Sequence, residues 1–163
     1  MISCKILLCA QGVVRDADDG TISIFGLIEG VEAVGFPFFF QQMAIFALLE
    51  RLHDDPAQYE LLFRISIGDT ELAAAHLAID FLTGLRNRST VRIQGLVVPG
   101  PGVLRASVHL ADRLLGTYEM TIGRMEPPRV EARQLPEPMI PPREPPDRPT
   151  PGLGQAAATQ TRD

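Results

Sequence analysis

Chemistry in this chain would have to begin from a small set of residues. Its three histidines, His53, His76 and His109, are far apart in sequence, and each stands beside a turn or within an alternating segment. No His-x-x-x-His metal pair, Gly-x-Ser-x-Gly nucleophile elbow or glycine-rich phosphate loop occurs. A hydrolase would need one of these imidazoles to meet a carboxylate and a nucleophile in space; an isolated strand histidine is the commoner case. Asp16, Asp18 and Asp19 invite comparison with a calcium loop. Calcium takes six to eight oxygens, and an EF-hand loop closes on a bidentate Glu at its twelfth position. Counted from Asp16 that position is Leu27, whereas aspartates before Gly20 favour a hairpin turn with no ion. Cys4 and Cys9 lack Cys-x-x-Cys or Cys/His spacing. In an extended strand they lie roughly 16 Å apart, beyond disulfide reach, and on opposite faces. The expectation is therefore no catalytic residue, no cofactor, no metal, and a protein that is not an enzyme.

Two segments suit contact rather than catalysis. Gly35-Phe-Pro-Phe-Phe-Phe40 holds four of the eight phenylalanines. Consecutive strand residues cannot all face one core, and Pro37 restricts the segment to a bulge, loop or edge. Either two or three of Phe36, Phe38, Phe39 and Phe40 plug the end of a core, or one or two stay exposed as a partner or oligomer contact. The second segment is the C-terminal tail. Pro138-x-x-Pro141, Pro142-x-x-Pro145 and Pro146-x-x-Pro149 follow in series, with Arg129, Arg133, Arg143 and Arg148 among them. Extended Pro/Arg chain suits grooves lined by aromatic and acidic side chains, although such spacing is frequent by chance and the tail can equally be a spacer.

The elements that must position these segments are strands. Tyr59, Leu61, Phe63, Ile65 and Ile67 alternate with polar neighbours, as do Leu104, Ala106, Val108 and Leu110, and then Tyr118, Met120 and Ile122. A period of two places one face on a core and the other in water. Turn signals at Asp16–Gly20, Gly68-Asp69, Pro99–Gly102 and Leu110–Leu114 separate eight expected strands: 3–15, 20–34, 41–52, 58–67, 71–80, 89–98, 103–111 and 114–124. No stretch gives a better helical pattern, although the alanines within Leu72–Leu82 fit helix and strand alike, so the expected fold is an all-β, antiparallel, immunoglobulin-like sandwich of about 7–8 strands. At Gly68-Asp69 a plain two-residue turn pairs Ile67 with Thr70 and sends Leu72 and His76 to the face of Phe63. A bulge instead brings Ala73, Ala75, Leu77 and Ile79 there. The second choice buries more carbon, at roughly 25 cal/mol per Å², and frees His76, so a bulge is expected.

Composition breaks near Met125. Ten of the 14 prolines fall between Pro127 and Pro151, and a segment with so little to bury cannot offset an ordering cost of roughly 1–2 kcal/mol per residue. Residues 1–125 are read as the domain and 126–163 as a disordered Pro/Arg-rich tail. The 163 residues carry a net charge of −5 with no concentrated basic stretch, which disfavours nucleic acid. Arg86, Arg88, Arg92 and Arg105 could lie near one another, but solvated strand edges and loop ends are the expected reading. No run of 18 apolar residues exists, and Ile6–Ala10 is too short for a signal sequence, so no membrane span and a cytoplasmic setting are expected.

Lys5-Ile-Leu-Leu-Cys-Ala10, Thr21-Ile-Ser-Ile-Phe-Gly-Leu-Ile-Glu-Gly30, Phe36-Pro-Phe38, Pro99-Gly-Pro-Gly-Val-Leu104 and Val108-His-Leu-Ala-Asp-Arg-Leu-Leu-Gly116 together resemble a family of short bacterial proteins of unknown function, similar to immunoglobulin-like sandwiches. The resemblance covers residues 4–124 and excludes the tail. It implies a sandwich fold, no cofactor and no catalytic residue. The leading expectation is a non-enzymatic protein-interaction or assembly module, working through the Phe segment, a sheet edge or the tail, with a homodimer possible through an edge. The alternative is a small-ligand or glycan-binding sandwich, to which a chain with no Trp and two Tyr is poorly equipped.

Overall fold

The computed structural model describes residues 1–126. Nine strands run β1 (Ser3–Arg15), β2 (Ile22–Leu27), β3 (Gly30–Ala33), β4 (Phe38–Glu50), β5 (Gln58–Ile67), β6 (Thr70–Asp80), β7 (Arg86–Val98), β8 (Gly102–Leu110) and β9 (Arg113–Arg124). They form two sheets, one in the order β2-β1-β4-β7 and one in the order β3-β9-β8-β5-β6. The inner faces meet in one core, whose fully buried members include Cys9, Met43, Ile45 and Leu49 from the first sheet and Leu61, Phe63, Leu104 and Met120 from the second. All-β character and the two-sheet build follow the alternation directly.

The expected strand count is corrected to nine among the described residues. Residues 20–34 do not form one strand: Ile28 donates its N–H to Cys9 O at 2.9 Å, after which the chain leaves the first sheet. It enters the second as β3, which pairs parallel with β9, Gly30 opposite Thr121 and Val31 opposite Ile122. Pairing is therefore not wholly antiparallel. Tyr118 anchors the crossing by donating its hydroxyl to Ile28 O at 2.9 Å.

The Gly68-Asp69 hairpin combines both registers considered above. Ile67 pairs with Thr70 across the tight turn, and a bulge between Ile65 and Ser66 then shifts the ladder. Ala75 comes opposite Phe63 and Ile79 opposite Tyr59, and His76 is left on the outer face. A second bulge, between Cys4 and Ile6, corrects the cysteine geometry. The extra residue reverses the parity of β1, so Cys4 and Cys9 both face the core. Burial pushes the Cys9 thiol up to about 12 and raises that of Cys4, the latter opposed by a backbone hydrogen bond from Ile6.

Apolar side chains also cover part of the outer face of the first sheet. Val13, Ala44 and Phe46 are buried there, with Leu8, Ile22 and Leu48 against them. This burial arises because the β1–β2 hairpin curls over its own sheet: Asp19–Ile22 and Ile24 face Ile6, Phe46, Leu48 and Arg88 across one shallow groove. Arg92 fastens the curl. Its Nη2 donates to Val13 O at 3.2 Å, and its register partner on β4 is the small Ala44.

Candidate functional site

The inward phase of the first sheet reverses along one line. On β4, Phe40 points inward, Gln41 and Gln42 are both exposed, and Met43 points inward again. On the paired strand β7 the same reversal falls between Ile93 and Leu96, across Gln94 and Gly95, where Gly95 has φ +69°. Gln11 is exposed on β1 one residue beyond the last β1–β4 pair, Ala10 with Ala44. A crease edged with glutamines results, and above it lies a depression of 580 Å³.

Two glycines seat its side chains. A Cβ on Gly12 would overlap the Phe25 ring, so that ring lies flat on the backbone of β1. Conversely, a Cβ on Gly26, at φ +63°, would fall 2.7 Å from Gln11 Cγ. Phe25, Leu27, Phe38 and Phe39 line it together with the amides of Gln11, Gln41 and Gln42. Among the described residues that line it, none is charged. Rings and primary amides can bury apolar groups and hydrogen-bond to neutral polar ones, but they supply no acid, base or nucleophile.

The aromatic segment is thus divided. Phe40 is buried at 7% exposure, although it borders the depression, while Phe36 and Phe38 are half-buried against the core. Phe38 and Phe40 meet edge to face with centroids 5.0 Å apart. Phe39 stands out at 57% exposure beside Val97, its partner on β7. Pro138, Pro141, Arg143 and Arg148 lie outside the described residues. Sequence reasoning missed Gln11, Phe25, Leu27, Gln41 and Gln42. The available signal was the pair Gln41-Gln42 interrupting an otherwise apolar strand.

The titratable residues separate. His53 sits in the turn after β4, His76 Nδ1 meets Glu60 at 3.3 Å, and His109 Nε2 meets Ser107 Oγ at 3.0 Å. His76 and His109 both register opposite Leu62, hence two strand spacings or roughly 10 Å apart. Desolvation, then the Arg64 charge, lowers the His109 pKa, which opposes the imidazolium that a general base must form. Asp16 and Asp19 spend carboxylate oxygens on the backbone N–H groups of Asp18 and Thr21, at 2.8 and 2.7 Å, closing the hairpin turn. Arg86, Arg88 and Arg92 share one face of β7, whereas Arg105 belongs to the other sheet and pairs with Glu119 at 2.8 Å.

A family model matches residues 5–123, more than half of the chain. The chain belongs to DUF6941, a family of unknown function. The DUF6941 match spans β1 to β9, crease and depression included, and stops before the tail. No curated protein matches the chain. Among solved structures, the alkylpurine DNA glycosylase AlkC of Pseudomonas fluorescens, bound to DNA containing an abasic site analog, aligns at 12% identity and a TM-score of 0.41. That alignment covers 75% of this chain and 30% of the glycosylase, so this DUF6941 chain spans under a third of the matched protein's length.

Proposed function

We propose that this chain is a non-enzymatic, immunoglobulin-like binding module of the cytoplasm that holds an uncharged, partly apolar protein segment in the Gln–Phe depression. The uncharged lining carries the reading. Seven apolar side chains and three primary amides line the depression with Gly30, an arrangement that accepts a peptide's apolar side chains and answers its backbone N–H and C=O groups. Phe39 is the anchor, an exposed ring lining the same depression as Phe25 and Leu27, which are themselves half exposed. The net charge of −5 favours a protein over a nucleic acid or an anionic membrane. A depression of 580 Å³ also falls within the roughly 300–1,000 Å³ of small-molecule sites, which supports the second reading, a neutral small ligand or glycan.

Affinity capture with the wild-type chain and with Phe39→Ser and Gln41→Glu tests the site. A protein retained by the wild type and lost by both variants, at unchanged melting temperature, supports the peptide reading. Retention by both variants sinks it. A melting-temperature rise with a neutral metabolite or oligosaccharide, abolished by the same substitutions, transfers the site to the second reading.

A further inference from the structure

Among the described residues the two sheets present four free edges, β2, β7, β3 and β6. A free edge offers unpaired N–H and C=O groups to any passing strand, and proteins blunt such edges with charge, proline, bulges or shortness. Three of the four are blunted. β7 carries Arg86, Arg88 and Arg92 over its first half, and its uncharged second half is broken by the reversal at Gln94-Gly95; β6 carries Glu71, His76 and Asp80, and β3 is four residues long with Glu32 inside it. β2 differs. Its six residues, Ile22-Ser-Ile-Phe-Gly-Leu27, include no charge and no proline, and Ile24, Phe25 and Leu27 stand exposed at 37%, 52% and 51%. Its ladder runs to β1 on one side alone.

We infer that the β2 edge pairs with β2 of a second copy of this chain. The inference rests on the reading that the protein works through protein contacts, and it gives that reading a defined partner. Extending a sheet antiparallel requires a two-fold axis perpendicular to it, so a residue faces one of its own parity. Centred on Ile24, such an axis sets Ile24 against Ile24 of the second copy, Ser23 against Phe25 and Ile22 against Gly26. No charge meets a like charge inside the ladder. The central pair joins two β-branched side chains, a favoured cross-strand contact, and Phe25 faces the small Ser23. Gly26, with no side chain, leaves room opposite Ile22. Two four-stranded sheets then become one continuous sheet, with the two Gln–Phe depressions flanking the seam.

Charge reversal tests the seam. The chain has a mass of 17.8 kDa. Light scattering on the full chain at about 100 µM, well above where an edge contact should form, is expected to give twice that mass. Ile24→Lys and Ile24→Glu each set like charges face to face and return the mass to that of one chain. Their equimolar mixture restores the doubled mass, which neither a folding defect nor lost hydrophobicity would do. Wild-type protein with the mass of one chain, variants that keep the doubled mass, or a mixture that stays single overturns the inference. Should the variants fail to fold, hydrogen exchange on wild type decides. The Ile22–Phe25 amides are expected to exchange more slowly at about 100 µM than at about 1 µM, and concentration-independent exchange overturns the pairing. Phe39→Ser leaves β2 untouched and should keep the doubled mass; if it alone abolishes the dimer, the interface is the aromatic segment and the β2 pairing fails.

Discussion

Arg51 is 8% exposed and closes two loops with one side chain. Its Nη1 donates to Asp55 O at 2.6 Å, and at longer range to His53 O at 3.3 Å and Leu52 O at 3.4 Å, while Nε donates to Gly84 O at 3.1 Å. The guanidinium also lies over the Phe81 ring, 5.8 Å from its centroid. The β4–β5 turn and the β6–β7 turn are thereby held together. In Arg51→Met the stem keeps its packing and the four carbonyls lose their donor. The two short bonds involve a charged donor and contribute about 1.5 kcal/mol each, the two long ones little, and the cation over Phe81 about 0.5–1 kcal/mol. A loss of about 3–4 kcal/mol follows, against a total of about 5–15 kcal/mol for a domain of this size. With a urea slope of about 2 kcal/mol/M, the unfolding midpoint should fall by about 1.5–2 M. Arg51→Lys keeps the charge, but one ammonium cannot serve both loops, so it should recover no more than about half of the loss. A midpoint shift below about 0.5 M for Arg51→Met, or full recovery by Lys, refutes the account.

Two further predictions concern the titratable groups. With its pKa near 12, Cys9 holds about one thiolate in ten thousand at pH 8, so an aromatic disulfide reagent should leave Cys9 unlabelled in the folded protein and count both thiols after denaturation; rapid native labelling of Cys9 would refute its burial. His109, whose pKa is lowered by desolvation and then by Arg64, binds fewer protons folded than unfolded. Its contribution is complete above the unfolded value of about 6.5 and is lost as pH falls through the depressed folded value. Melting temperature between pH 8 and pH 5 should therefore drop less in His109→Asn than in the wild type, and equal slopes would place the acid sensitivity elsewhere.

How much of this was legible depended on where alternation was unbroken. β5 begins and ends where the sequence places it and β9 departs by one residue, because period-two patterning over several turns of the pleat admits one reading; β1 keeps its expected bounds although a bulge breaks its alternation. The β5–β6 bulge was legible too, since only one parity buries Ala75, Leu77 and Ile79 while releasing His76. Failures gathered at reversals. Cys4 and Cys9 were expected on opposite faces because no local residue announces the bulge between Cys4 and Ile6. Residues 20–34 read as one strand because Ile28-Glu29 resembles strand sequence on both sides, and the parallel partner of β3 lies about 90 residues away on β9. Arg51 was illegible for a related reason. Its acceptors are backbone carbonyls, which every residue has, so no sequence pattern marks them.

The same logic accounts for why the depression lies where it does. A strand that keeps its phase presents a flat outer face, and a flat face offers neither concavity nor convergent polar groups. Where β4 and β7 reverse together, two consecutive residues on one strand face outward, and the sheet must fold along that line. The exposed pair needs side chains that tolerate both solvent and close apolar neighbours, which glutamine amides do without the desolvation cost of a charge. Gln41-Gln42 thus suits the crease, and the rings of Phe25 and Phe39 turn it into a lined site. Replacing Gln41 and Gln42 by the alternating pair Thr-Val would test the link. If the crease is set by these residues, the substitution should flatten the sheet and shift Phe39 backbone resonances; if Gly95 alone, with its left-handed φ, sets it, those resonances stay and the glutamines are free for recognition.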